Sequence, residues 1–307
     1  PEGQSEFWDP LVDSLLRRRP AVWDFFPSQI EALQKGLLDS PATYSLQMPT
    51  GAGKTALSEA LLFYHLNRNP ANAAVLLVPY RSLASELRRT LVRRLNAMGL
   101  SARCAYGGTV PTGEEVRNLD ETRAIVATPE SLSGLLSANR GFFERVGLVI
   151  CDEGHLLGGR DRGVGLELLL SRMRGRQGGA PRIVFVSAIV PNIDEINAWL
   201  GGTEDTVVRS DYRPALGEFS VLRVNGTGAA ATVALQMHPH EPTRFSVDRF
   251  LTSDDFRYHN EATDRLRVYP FGSVKTLAIA AGRKALSIGA VAVFAANKRG
   301  SQGAVGL

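Results

Sequence analysis

A chain of 307 residues with 44% hydrophobic and 21% charged residues is long enough for two domains and too rich in apolar side chains to remain disordered. Its formal charge of +4, from 35 Lys+Arg against 31 Asp+Glu, permits a polyanionic partner without requiring one. The sequence shows no apolar run of about twenty residues and no secretory-type leader, so the expectation is a cytoplasmic protein with no membrane partner.

In chain order, the first buried strand is expected at Tyr44 to Leu46, followed by Met48-Pro-Thr-Gly-Ala-Gly-Lys-Thr55 and a helical pattern from Thr55 to Leu66. Ala74 to Val78 reads as a second strand. Ser82 to Met98 reads as a helix whose Leu87, Leu91 and Leu95 face inward while Arg88, Arg89, Arg93 and Arg94 form its wet face. Further strands are expected at Ala124 to Ala127, Leu148 to Cys151 and Ile183 to Val186. Short apolar runs alternating with helical patterns are the rhythm of a parallel α/β sheet, which places a first domain at 1–205. Cys104 and Cys151 lie in strand-like contexts and read as buried free thiols rather than a bridge.

Composition shifts near Asp205. Phe219 to Val224 and Ala231 to Met237, joined across Asn225-Gly-Thr-Gly228, read as a hairpin within a β-rich connector at 206–268. His238 and His240 lack a completing ligand set and read as a loop. A helical pattern at Ser273 to Leu286 and an apolar run at Ala290 to Ala295 then suggest the start of a second α/β domain at 269–307, cut short, with an engineered or processed N-terminus.

Two segments carry chemistry. Thr50, Gly51, Ala52 and Gly53 can wrap phosphates with backbone N–H groups, Lys54 can reach the β- and γ-phosphates, and Thr55 can offer its hydroxyl to Mg²⁺. Strict spacing for such a loop asks for glycine at position 48, where this chain has methionine, and glycine-rich turns are common. Asp152 and Glu153, after the run Val146 to Cys151, supply what the loop lacks: Asp152 can hold the metal's outer shell and Glu153 can orient and deprotonate an attacking water. An Asp-Glu pair after a strand is also an ordinary loop exit. Both segments follow predicted buried strands, where an open parallel sheet places its ligand crevice, and their joint occurrence indicates an ATP-driven motor.

The chain resembles the N-terminal part of a superfamily-two DExH-box nucleic-acid helicase, nearest the Ski-type branch, over most of Phe26 to Ala296. Phe26-Pro-Ser-Gln29 resembles the motif whose glutamine reads adenine; Val78 to Leu83, Tyr106 to Thr109 and Ala127 to Ser131 resemble the segments that line a single-strand groove. The resemblance implies two RecA-like domains, ATP and Mg²⁺, a single strand of DNA or RNA as partner, adenine contact by Gln29, and phosphate contacts by Arg81, Thr128 and the amides of Gly107 and Gly108. Val186-Ser-Ala-Ile189 resembles the coupling motif, with isoleucine in place of its final hydroxyl residue, which leaves Ser187 and His155 as coupling candidates. Arg162 to Glu167, Ala198 to Gly201 and Tyr212-Arg-Pro214 resemble Ski-type segments. The Asp-Glu-Gly-His box resembles that of chromatin-remodelling translocases, whose nucleotide loops differ from this one. The arginine fingers lie beyond Leu307 in the family, so the 307 residues are expected to hydrolyse ATP poorly. Three functions follow: a strand-separating helicase, a duplex translocase of a restriction or defence system, and a nucleic-acid-binding module without catalysis. Retention of Lys54, Thr55, Asp152 and Glu153 speaks against the last.

Overall fold

The structure is a computed structural model, and it describes residues 5–105, 119–159, 162–215, 217–226, 231–260, 265–268 and 274–294. The chain forms two compact units, 1–214 and 215–307.

The first unit is built on seven strands: β1 (Tyr44–Gln47), β2 (Ala73–Leu77), β3 (Ala102–Ala105), β4 (Ala124–Ala127), β5 (Val146–Cys151), β6 (Arg182–Ser187) and β7 (Val207–Arg209). They lie in the order β3-β4-β2-β5-β6-β1-β7, and every neighbouring pair is parallel. Alternation then assigns each residue a face. Ala74, Leu76, Leu148, Ile150, Val184 and Val186 enter one core; Val75, Leu77, Val149, Cys151, Ile183 and Phe185 enter the other. Each Val, Leu, Ile or Phe side chain among them, fully buried, contributes about 1.5–3 kcal/mol.

One face is covered by α1 (Ser5–Leu16), α2 (Pro27–Gln34), α3 (Lys54–Arg68), and a continuous helix made of α4 (Arg81–Leu87), a π-turn at Arg88–Val92 and α5 (Arg93–Ala97). The other is covered by α6 (Pro129–Ala138), α7 (Arg140–Arg145), α8 (Arg162–Arg174) and α9 (Ile193–Leu200). Local signals set their limits. Thr128 and Asn139 cap α6 and α7 by accepting from the Ser131 and Phe142 N–H groups. Asn69 closes α3 ahead of Pro70, and Gly201 closes α9 at φ +96°.

Glu59 on α3 is fully buried. It accepts hydrogen bonds from Arg18 Nη2 at 2.6 Å, from Arg94 Nε at 3.0 and 2.9 Å and Nη2 at 2.7 Å, and from Ser14 Oγ at 3.2 Å. The N-terminal segment, α3 and α5 therefore meet on one carboxylate. Arg94 departs from the wet-face expectation because this buried charge draws it inward.

Strand β7 pairs with β1, so the described sheet continues past residue 205, and the first unit runs to Pro214. The second unit holds an antiparallel sheet in the order β10-β9-β8, from β8 (Ser220–Asn225), β9 (Thr232–Met237) and β10 (Phe245–Leu251), with a hairpin of β11 (Arg257–Asn260) and β12 (Arg265–Val268) and the helix α10 (Val274–Ala285). The expected hairpin of β8 and β9 is present in register, Ser220 opposite Met237. Of the apolar run Ala290 to Ala295, residues 290–294 are described: they pair with no strand among the described residues, and Val291, Val293 and Phe294 are exposed. The unit's buried core is small, centred on Val233, Leu251, Phe256 and Ala280.

Among the described residues, no helix is long and apolar enough to cross a membrane. Both cysteines are free; burial raises the Cys104 thiol to about 11 and the Cys151 thiol to about 12.

Candidate active site

Strand β6 lies between β1 and β5, so the three segments with chemical content leave the same end of the sheet side by side. The loop after β1 starts with Met48, whose N–H donates to the Ser187 carbonyl at 2.9 Å. Gly51 and Gly53 then adopt φ +87° and +84°, left-handed conformations that suit glycine, and α3 begins at Lys54. A β-carbon at Gly53 would also lie 2.5 Å from the Gln29 Nε2 atom. Thr50 and Thr55 are exposed and Ala52 is buried.

Two side chains at the start of α2 hold this loop. Ser28 Oγ donates to the Ala52 carbonyl at 3.2 Å, and Gln29 Nε2 donates to the Gly53 carbonyl at 2.9 Å. Gln29 Oε1 accepts the Phe26 N–H at 2.8 Å, half of a capping box, and the side chain is only 2% exposed. Gln29 thus supports the loop at 48–53, leaving one amide N–H unspent. Ser28 was not among the residues singled out in the sequence, although its place one residue before the glutamine at a helix start was a usable signal.

Across β6, the Asp152 N–H donates to the Leu77 carbonyl at 2.9 Å and its Oδ1 accepts the Glu153 N–H at 2.9 Å. Burial, and then the neighbouring Glu153 charge, push the Asp152 carboxyl above its ordinary range. Glu153 sits at φ 52°, which turns its carboxylate back toward the loop: Oε1 lies 3.8 Å from Lys54 Nζ, and Oε2 lies 3.1 Å from His155 Nδ1. Lys54 Nζ also reaches the Met48 carbonyl at 3.4 Å. Gly154 sits over the Phe185 ring, where any β-carbon would overlap it. Lys54 and His155 thus both lie against Glu153, and Asp152 holds the Glu153 N–H.

Thr55 and Asp152 supply one hydroxyl and one carboxylate. That set fits Mg²⁺, which keeps most of its shell as water and phosphate oxygens, and the raised Asp152 carboxyl is one that a nearby cation would return to its charged form. No group of three His, Cys, Asp or Glu side chains that could hold a metal occurs among the described residues.

Ser187 ends β6 fully buried, and its Oγ has no hydrogen-bond partner among the described residues. Ile189 is 70% exposed and lines a cavity of about 370 Å³ with Pro49, Thr50, Ala188, Arg209 and Arg213. The residues assigned to strand contact are less gathered. Thr128 is 2% exposed, and its hydroxyl caps α6 and donates to Ser131 Oγ at 3.2 Å. Arg81 opens α4 on the surface. Gly107 and Gly108 lie outside the described residues.

The chain is similar in sequence to known proteins. Hachiman protein HamB of Bacillus cereus is 32% identical over 219 residues, spanning 69% of this chain and 19% of its own. ATP-dependent DNA helicase Hel308 of Thermococcus kodakarensis is 34% identical over 206 residues, 67% of this chain and 17% of its own. The chain thus spans about a fifth of the length of these relatives. Among solved structures, the DUF1998 helicase MrfA aligns with a TM-score of 0.53 at 18% identity, covering 66% of this chain and 32% of that one. A hypothetical ATP-dependent RNA helicase from Sulfolobus tokodaii aligns with a TM-score of 0.52 at 18% identity over 66% and 57%. At that identity the likeness is one of fold, the RecA-like helicase domain. The DEAD/DEAH box helicase model matches residues 26–196, more than half of the sequence, and the chain belongs to that family.

Proposed function

We propose that this chain is the ATP-binding part of a cytoplasmic, ATP-dependent DNA helicase that moves along a single strand. The observation that carries the reading is the convergence of Lys54, Asp152 and Glu153 from the ends of β1 and β5, on either side of β6, with Lys54 Nζ and Glu153 Oε1 3.8 Å apart. Lys54 neutralises charge on the phosphates, and the loop amides at 50–55 orient them. Glu153, aimed by its left-handed backbone, aligns the attacking water and takes its proton. Mg²⁺, held through Thr55 and Asp152, would neutralise the charge that develops on the phosphate oxygens. Ser187, on the strand between the two ATP segments, and His155, against Glu153, carry the nucleotide state toward the strand-binding side, where Arg81 at the exposed start of α4 contacts a backbone phosphate; the buried Thr128 acts there only as the cap of α6.

The choice of DNA is supported by Hel308, named a DNA helicase, at 34% identity. Placement in the Ski-type branch is supported by Arg162 to Glu167, Ala198 to Gly201 and Tyr212 to Pro214. The Asp152-Glu153-Gly154-His155 box supports a second reading, a translocase on duplex DNA. The test is ATP turnover by the full natural chain with single-stranded DNA, single-stranded RNA and duplex DNA, beside Glu153→Gln. Stimulation by single-stranded DNA that disappears in the variant is expected; stimulation by duplex alone would select the second reading, and none by any would reject both.

A further inference from the structure

The segment Tyr212-Arg213-Pro214 serves no role in the mechanism so far, yet each of its residues meets a different part of the nucleotide end of the sheet. The chain leaves β7 with the Ser210 N–H donating to the Gln47 carbonyl at 2.9 Å, which ties it to the last residue of β1. Tyr212 packs its ring against Phe26, centroids 5.5 Å apart and planes inclined by 39°. Phe26 is the residue whose N–H is held by Gln29, and its ring stays 36% exposed. Arg213 lines the 370 Å³ cavity beside Pro49 and Thr50 of the phosphate loop and has no ion-pair partner among the described residues, whereas Arg209 in the same cavity is engaged with Asp194. Pro214 lies on the loop itself: its Cγ is 3.5 Å from the position a β-carbon at Gly51 would take.

A phosphate loop alone grips only the triphosphate, so the base must be held by other groups. Gln29 is nearly buried and already spends its carbonyl and one N–H inside the chain. Aromatic faces at the surface next to that glutamine are suited to a base, because every nucleobase presents a π-face. An unpaired guanidinium next to the phosphate loop is suited to a phosphate oxygen.

We infer that residues 212–214 form a wall of the nucleotide site, in which Tyr212 positions Phe26 and shares with it the stacking of the base, while Arg213 contacts the phosphates. This rests on the ATP-binding reading above. It extends that site to residues more than 150 positions along the chain from the loop they cover.

The experiment compares two probes on the full natural chain: ADP, and inorganic triphosphate, which has no base. Tyr212→Ala is expected to weaken ADP binding about tenfold and leave triphosphate binding unchanged, with Tyr212→Phe restoring ADP. Arg213→Gln is expected to weaken both probes by a similar factor. Equal loss of both probes in Tyr212→Ala would mean that the segment merely props the loop, and no loss in either variant would place it outside the site; each overturns the inference. A wild-type chain that binds neither probe would instead overturn the ATP-binding reading, and with it this one.

Discussion

The two ends of the seven-stranded sheet are built on opposite plans. At the amino end of the strands, arginines spend their donors on backbone carbonyls. Arg182 binds those of Ala42 at 2.8 Å and Leu37 at 2.5 Å; Arg123 binds those of Asn72 and Leu66 at 3.0 and 2.6 Å; Arg176 binds those of Phe143 and Val146 at 2.8 and 2.6 Å. Burial lowers all three guanidinium groups, Arg182 to about 10, so each is stabilised by these bonds against a real desolvation cost. At the carboxyl end the reverse holds. Ser187 Oγ is buried without a partner among the described residues, the Asp152 carboxyl is raised, Glu153 and two loop glycines occupy left-handed backbone, and Ile189 is exposed. One end spends its arginine donors on the chain itself, leaving His65 Nε2 buried without a partner among the described residues; the other keeps charged and hydroxyl groups for a ligand, which is where strain and unspent polar groups are expected to collect.

Substitutions can separate the two plans. The largest effect is expected at the carboxyl end from Lys54→Ala, which should lower DNA-stimulated ATP turnover by about a thousandfold while the unfolding free energy without nucleotide stays within about 0.5 kcal/mol. At the amino end, Arg182→Met should show the mirror image: a loss of about 3 kcal/mol in denaturant unfolding, from two carbonyls stripped of a charged donor, with ADP affinity unchanged. Gly154→Val tests whether the acidic turn tolerates any bulk over Phe185, and overpacking there should cost about 1–3 kcal/mol and reduce turnover together. If Lys54→Ala were to unfold the chain, or Arg182→Met were to abolish ADP binding, the division would fail.

The smallest effect concerns pH. His65, at the amino end, is pushed down to about 4 by burial and then by Arg182 and Arg123. Between pH 6.5 and about 4 the unfolded chain carries a proton on this residue that the folded chain does not, so stability is present above the window and is lost as pH falls through it. Discounted for partial exposure, the loss should be about 1–2 kcal/mol. Unfolding of His65→Gln measured beside the wild type should lack this part of the slope.

The sheet was largely legible in the sequence because its strands are buried on both faces and read as uninterrupted apolar runs. Ala124 to Ala127 matches β4 at both ends, and β2 and β5 differ from expectation by one or two residues. The edges were not legible. β3 contains Arg103 and Cys104, β7 is three residues long, and an edge strand has one neighbour and a weak pattern. In the site, Lys54, Asp152 and Glu153 were found because their chemistry demands fixed residue types at fixed spacing. Ser28 and Tyr212 stand in segments that the sequence does mark, but the contacts they make, with Ala52 and Phe26, join positions far apart in the chain and leave no local signal. The arginine bonds at the amino end were invisible for the same reason: no local pattern distinguishes Arg182 or Arg176 from a solvated side chain.

Glu59 gives the phosphate loop an immovable footing. By drawing Arg18, Arg94 and Ser14 onto one carboxylate it ties the helix that follows the loop to the layer around it. The loop ahead of the helix, residues 48–53, draws its turns from the glycine torsions at 51 and 53. A single carboxylate in the second turn of the helix thereby anchors everything that the loop is attached to.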